Sequence, residues 1–526
     1  MTFDLLIKDG TILDGSGKPR FRGDVGIAGG IIKAIGNPAL EGAAAAKTIS
    51  AAGKFVSPGF VDITSHSDAN GSLFLNPQQD YLLTQGVTTI LTGNCGSSLA
   101  PLASREAAAS LRKWSGGTEI NINWLSTAAY LTELARHPLG LNVGTLMGHG
   151  TIRRGITKGE SRPLTLEELS EFSSLISRGL QEGAFGLSAG LIYSHEAAAT
   201  SEELAAFGKA LAHGGGILKA HLRNEGANLI PAVNEMVQVG RESKAPVIIS
   251  HFKAIGRKAW PLFGRALKMM EHAGESGASV HFDISPYQRT GSFLYLLLPA
   301  WAREGGFIAL SKRIRDPANR TAIVEELKKQ TLHYERYIIA SAATPNANGR
   351  TLAEMAQRTG VSAEEMVLDL LSASEGRVTI FGNTLSFRNI LTGIAHPQGV
   401  IASDGNGVLK EMNQSNTLVH PRSTGCFPHF LHKFVREKET VSWEEGIRKI
   451  TSFPAELAGF KGRGRIAPKF AADVAVFDPE QIRDRSTYQN PYVHSTGIEA
   501  VVVNGKLAIE NGKLTGAARG AVLKKS

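Results

Sequence analysis

Apolar and polar positions along the chain fall into three regimes. Over residues 1–57 short apolar-rich stretches (Asp4 to Ile7, Thr11 to Leu13, Gly23 to Ile27, Ile31 to Ile35) are broken at close intervals by Gly, Asp and Asn, the pattern of short strands joined by turns. Residues 465–526 repeat it with Ala472 to Phe477 and Ile498 to Val503, the latter running into Asn504-Gly505, a hairpin turn pair. Two β-rich ends predict that the termini meet in one small sandwich. Between them, over 58–464, apolar strands alternate with helical stretches. Strand candidates are Phe55 to Ile63, Val87 to Leu91, Leu141 to Leu146, Ala184 to Ser188, Ile217 to Ala220, Val247 to Ile249, Ser279 to Asp283 and Val400 to Ala402. Eight strands of this kind are what a closed parallel (β/α)8 barrel requires. The intervening stretches carry helix signals, as in Thr165-Leu-Glu-Glu-Leu-Ser-Glu-Phe172, where a Thr cap precedes acidic residues and apolar positions recur every three or four.

The span from Tyr287 to Gly399 is too long for one barrel connection. It holds helix-like runs at Arg320 to Gln330, Thr351 to Gln357 and Ser362 to Ser374, and predicts an inserted subdomain, about 290–398, over the barrel mouth. Long insertions of this kind are often functional. The fold class expected is therefore α/β: a TIM-like barrel with a β-sandwich domain built from both termini and an insertion.

Composition changes this picture little. The 526 residues are 42% hydrophobic, as in ordinary soluble globular proteins. A net charge of +9 raises the question of nucleic acid, but the basic pairs Arg153-Arg154, Arg257-Lys258 and Lys524-Lys525 are short and scattered, and no nucleic-acid module is apparent. The charge fits anionic small molecules better. The longest apolar patch, Phe293 to Trp301, is far short of the ~20 residues a membrane helix needs. The opening Met1-Thr-Phe-Asp-Leu-Leu-Ile-Lys8 has no signal-peptide core, and two cysteines do not make a disulfide framework. A cytoplasmic protein is expected; oligomeric state is not legible.

Candidate chemistry sits where strands end. Cys95 lies on a glycine-flanked turn, Gly93-Asn-Cys-Gly96, just after Val87 to Leu91. His221 closes Gly216 to His221, His251 closes Pro246 to His251, and Asp404 closes Gly399 to Asp404. Taken singly, each has an ordinary reading: a small core cysteine, a satisfied polar histidine, a carboxylate in an Asp-Gly turn. Repeated polar strand ends are what a β/α barrel uses to build its active face, and thiolate with imidazole is a zinc-competent donor set.

These residues belong to a longer series of motifs. In order they are Asp14-Gly-Ser-Gly17, Ser57-Pro-Gly-Phe-Val-Asp62, Gly86-Val-Thr-Thr89, Gly93-Asn-Cys-Gly96, Gly186-Leu-Ser-Ala-Gly-Leu-Ile-Tyr193, His221-Leu-Arg-Asn-Glu225, Ser250-His-Phe-Lys253, Asp283 to Tyr287, Ser403-Asp404-Gly405, His420-Pro-Arg-Ser-Thr-Gly425, Thr451 to Gly459 and Gly462 to Lys469. With this order and spacing the chain resembles, nearly end to end, the N-acyl-D-amino-acid deacylases (D-aminoacylases) of the amidohydrolase superfamily. The resemblance implies one tightly held zinc ion on Cys95, His221 and His251, with Asp404 carrying a proton from the attacking water to the leaving amine nitrogen. It implies that Tyr193, Lys253, Tyr287 and Arg422 hold the α-carboxylate of an N-acyl-D-amino acid, residue types suited to that task. Arg223 and Glu225, just past His221, are expected to orient the metal ligands. His149 and Arg153, in Gly148-His-Gly-Thr-Ile-Arg153, match a family pattern whose role the sequence does not give. Cys426 is expected to pack.

One departure bears on the metal. The superfamily's first strand normally ends in His-X-His; here it reads Thr64-Ser-His66. A threonine hydroxyl is a poor substitute for imidazole, so a second, looser metal site is in doubt. His66 is a weak ligand, a hydrogen-bond partner of the attacking water, or structural. Two rivals stand beside the deacylase reading. Cyclic-amide hydrolysis, as in hydantoinases and dihydroorotases, goes with an intact His-X-His and a bridging lysine carbamate, where this chain has Cys95. A scaffold that has lost catalysis would need none of Cys95, His221, His251 and Asp404.

Overall fold

Strands from both ends of the chain share one sheet. Its order is Lys513–Leu514, Lys506–Glu510, Ile498–Val503, Val474–Phe477, Phe55–Pro58, Phe3–Ile12, Phe21–Ala28 and Ile31–Gly36, with Ala45–Ser50 also paired to Phe3–Ile12. Leu5, Ile7, Ile12, Val25, Ile27, Val56, Val474, Val476 and Val502 form its core. The computed structural model describes residues 2–36, 40, 42–104, 122–344 and 346–526.

The run 55–63, expected as one barrel strand, divides at Gly59. Phe55–Pro58 joins the terminal sheet, antiparallel to Val474–Phe477, and Phe60–Asp62 starts the barrel, parallel to Val87–Thr92. The crossing is tight enough to require glycine: a Cβ on Gly59 would lie 2.2 Å from Thr88 Oγ1.

From Phe60–Asp62 the barrel continues through Val87–Thr92, Asn142–Thr145, Gly186–Gly190, Ile217–His221, Val247–Ile249, Val280–Ile284 and Gly399–Ile401. Parallel pairing links the first three strands and, from Met147–Gly148 onward, the remaining five. The ring closes where Gly405–Asn406 pairs parallel with Ser65–His66 and where Ser403 donates from its backbone N and its Oγ to the Asp62 carboxylate. Strands covered on both faces are buried along their whole length, as Val87–Thr92 is. Outer helices begin at strong caps: Thr165 and Glu168 form a capping box for Leu166–Gln181, and Thr200 and Glu203 form one for Ser201–His213.

Between the seventh and eighth strands lies an antiparallel sheet ordered Arg289–Phe293, Thr379–Asn383, Tyr337–Ser341. The helices Pro317–Lys329, Leu352–Thr359 and Ala363–Ala373 pack with it around a core of their own that includes Ile323, Leu327, Leu352, Val367 and Leu371. The next helix, Phe387–Ala395, belongs instead to the barrel, where Ile390 and Ile394 join the main core with Phe263 and Ile284. Among the described residues no helix is long and apolar enough to cross a membrane.

Candidate metal centre

Three strand ends converge at the top of the barrel. The ligand-competent atoms of Cys95, His221 and His251 all lie within 4.8 Å of one another, and so do those of His66, Cys95 and Asp404. Cys95 Sγ is 3.3 Å from His251 Nε2. Cys95 (φ 52°), His251 (φ 38°) and Asp404 (φ 52°) all take left-handed backbone conformations, costly for residues with a Cβ and found where a site dictates them.

The Cys95 turn is held from several sides. Asn94 Nδ2 donates to Leu91 O (2.8 Å) and Ser65 O (3.1 Å), and Gly93 N donates to Asp68 Oδ2 (3.0 Å). Gly96 N donates to Ser188 Oγ (3.0 Å), whose hydroxyl donates to Gly93 O (2.5 Å). Gly96, at φ 77°, has no room for a side chain: a Cβ there would fall 2.1 Å from Glu196 Oε1. Glu196 is fixed by Gly190 N (2.8 Å) and by His149 Nδ1, 2.7 Å away. His149 is therefore a buttress beneath the cysteine turn. Arg153, fully buried, donates to Glu203 Oε2 (2.9 Å) and to the Arg162 carbonyl, and so ties its own helix, His149–Ile156, to the helix Ser201–His213 rather than meeting the cluster.

The donor set suits a zinc ion. Both ring nitrogens of His221 are buried without a hydrogen-bond partner, a cost that a metal bond would remove. Burial pushes the Cys95 thiol up, but the charge of His251 and the closeness of His221, His251 and His66 more than offset it and hold it well below the usual thiol range. A thiolate with two imidazoles leaves the fourth tetrahedral position open, as a catalytic zinc requires.

Glu225 faces both histidines: Oε2 is 3.5 Å from His221 Nε2 and Oε1 is 3.4 Å from His251 Nδ1. It also pairs with Lys253 Nζ at 2.7 Å. A carboxylate there can fix the tautomer of a ligating histidine. Arg223 does not share that position. Its guanidinium pairs with Glu235 (2.8 Å) and donates to the Ala197 and Ala199 carbonyls, so the expected orienting task falls to Glu225 alone.

Asp404 stands between Arg422 and His66, with Oδ2 2.8 Å from Arg422 Nη1 and Oδ1 3.2 Å from His66 Nε2. Burial would raise its carboxyl, but the charges of Arg422 and His251 and the His66 hydrogen bond hold it well below the usual range. Burial would lower His66, yet Asp404 and Cys95 keep it well above an ordinary histidine.

His251, Lys253, Tyr287, Arg289, Asp404 and Arg422 line one cavity beside the cluster. Three donors there are buried without partners: the Tyr287 hydroxyl, Arg422 Nε and Arg289 Nη1. The Arg289 guanidinium lies 4.7 Å over the Tyr488 ring and has no carboxylate partner among the described residues. In the sequence Arg289 is marked only as a cation two residues past Tyr287. Tyr193 stands apart from this cavity, with its ring edge-on to His221 at 5.6 Å and to Phe293 at 6.4 Å. Cys426 is fully buried against Ala402 O.

Comparison with known proteins identifies the family. Residues 47–509 match the model of the amidohydrolase family. D-aminoacylase of Alcaligenes xylosoxydans xylosoxydans is 32% identical, over 99% of this chain and 97% of its own. A D-aminoacylase structure, described as having a binuclear metal centre with one-metal activation and second-metal attenuation, superposes with a TM-score of 0.83 at 29% identity, covering 99% of this chain and all of that one. The N-acyl-D-glutamate deacylase of Bordetella bronchiseptica, complexed with zinc and a phosphonate mimic of the tetrahedral intermediate, superposes with a TM-score of 0.83 at 28% identity over the full length of both chains. This chain belongs to the amidohydrolase family, in its D-aminoacylase branch, and is a metal-dependent hydrolase.

Proposed function

We propose that the chain hydrolyses N-acyl-D-amino acids to a carboxylate and a free D-amino acid, with one zinc ion on Cys95, His221 and His251. The observation that carries the reading is the convergence of these side chains from three barrel strands within 4.8 Å, with Asp404 beside them. The ion would polarise the scissile carbonyl and acidify the attacking water. Asp404, kept ionised by Arg422 and His251, takes a proton from that water and passes it to the leaving nitrogen. His66 holds the carboxylate in position through its 3.2 Å contact. Arg422, with Lys253 and Tyr287, receives the substrate's α-carboxylate, Arg289 adds a second guanidinium to the same cavity, and Tyr193, expected to share that task, stands beside His221 instead. The rigid Cys95 turn and its Glu196–His149 support keep the thiolate in place.

The names of the relatives support the D-acyl class, and the cationic cavity supports an anionic substrate. A cytoplasmic setting, where thiols stay reduced, suits two free, buried cysteines. Release of free amino acid from paired N-acetyl-D- and N-acetyl-L-amino acids by the purified, zinc-loaded protein tests the reading. Turnover confined to the D-series supports it, and turnover of L-substrates alone removes it.

A further inference from the structure

Beneath the metal cluster lies a buried cation that the proposed chemistry does not use. Lys219 is on the fifth barrel strand, two residues before His221, and is 0% exposed. Its Nζ donates to three acceptors: Thr64 Oγ1 at 2.5 Å, Ile63 O at 2.7 Å and Asp283 Oδ2 at 2.9 Å. Three acceptors match the three N–H donors of an ammonium; a neutral amine would leave one unfilled. The Thr64 hydroxyl in turn donates to Asp283 Oδ2 at 2.7 Å, so it is engaged both as acceptor and as donor. Asp283 Oδ1 accepts the backbone N–H of His251 at 2.7 Å. The network joins the first, fifth, sixth and seventh strands directly below the cluster.

Thr64 occupies the place of the first histidine in the His-X-His pair that normally ends this strand. What remains for a second ion is the group His66, Cys95 and Asp404. Cys95 is shared with the first cluster, and Asp404 is paired with Arg422 at 2.8 Å. The hydroxyl that would have to replace the missing imidazole is already engaged, accepting from Lys219 and donating to Asp283.

We propose that Lys219 is a built-in cation standing in for the second metal ion, so that the site holds one ion only. The ammonium neutralises Asp283 and takes up Thr64. A second dication at His66 would sit two residues along the strand from Thr64, without the imidazole that Thr64 replaces, and close to the first ion, where like charges repel strongly in a medium of low dielectric constant. Lys219 is thus a positioning residue: it acts through Thr64 and Asp283, and through Asp283 it also fixes the His251 backbone. The inference rests on the zinc reading above and extends it to ion number.

Cobalt(II) titration of the metal-stripped wild-type protein, followed by optical absorption, electron paramagnetic resonance and metal analysis after dialysis, tests it without any activity assay. The expected result is saturation at one ion per chain with no spin coupling between cobalt ions. Two ions of comparable affinity in the wild-type protein would overturn the inference while leaving the zinc reading intact. No bound ion would overturn both. The second arm is the double variant Thr64→His/Lys219→Ala, with Thr64→His/Lys219→Met/Asp283→Asn beside it so that no buried aspartate is left unpaired. A folded variant that takes up a second, spin-coupled ion supports the assignment. Folded variants that still bind one ion overturn it.

Discussion

Arg422 Nη1 stands 2.8 Å from Asp404 Oδ2, so the guanidinium proposed to receive the substrate carboxylate is paired with the carboxylate proposed to carry the proton. Binding and proton transfer are therefore linked through one contact. Burial raises the Asp404 carboxyl, and the Arg422 charge leads the influences that lower it, so that the group ends well below its usual range. Removing the guanidinium leaves burial less opposed, and the carboxyl must rise.

For Arg422→Ala the acid limb of kcat/KM should therefore move to higher pH, by about one pH unit or more on the usual effect of an adjacent opposite charge. KM for an N-acetyl-D-amino acid should rise as well. A pH-rate profile, with zinc content checked at each pH, measures both. An unchanged acid limb would show that Arg422 does not set the ionisation of Asp404.

Asp404→Asn should keep zinc and fold but lose about 100-fold or more in kcat, because an amide cannot carry the proton. The measurement is kcat beside zinc content and circular dichroism. Near wild-type turnover would assign the proton work to another group, with His66, 3.2 Å from Asp404, the first to examine.

Arg289 offers a test of the cavity. Arg289→Met should selectively weaken substrates with an anionic side chain, since a charge-assisted hydrogen bond is roughly twice as strong as a neutral one. The comparison is KM for N-acetyl-D-glutamate and N-acetyl-D-leucine in variant and parent. An equal change for both would remove Arg289 from side-chain recognition.

His149→Ala should lower the thermal midpoint and weaken zinc retention together. The hydrogen bond to Glu196 is buried, and leaving a buried polar group without its partner costs about 1–3 kcal/mol, more for a charged one. Glu196 in turn lies against Gly96, next to the ligand Cys95. A lower midpoint with zinc affinity unchanged would confine His149 to general stability.

Much of the site was legible because barrel chemistry concentrates at strand ends, and strand ends are visible as polar residues closing apolar runs: Cys95, His221, His251 and Asp404 all show this, and the structure brings their side chains together. What was not legible depends on direction and on partners distant in sequence. Arg223 shares a motif with His221 and Glu225 but is drawn off by Glu235 and two carbonyls. Lys219 interrupts an apolar run and looks like an ordinary polar residue; its meaning comes from Thr64 and Asp283, which lie 155 and 64 residues away. His149 gained a role only through Glu196, and the apolar run 55–63 hides its division because it is apolar on both sides of Gly59.

The most direct test of the zinc deacylase reading is D-amino-acid release from N-acetyl-D-amino acids by the wild-type protein and by Cys95→Ala, His221→Ala and His251→Ala, with zinc per chain measured on the same samples. We expect the parent to hold zinc and to turn over the D-series but not its L-counterparts, and each ligand variant to lose zinc and turnover together. A ligand variant that hydrolyses D-substrates at the parent's rate without zinc, or a zinc-replete parent inert toward every N-acyl-D-amino acid, would refute it.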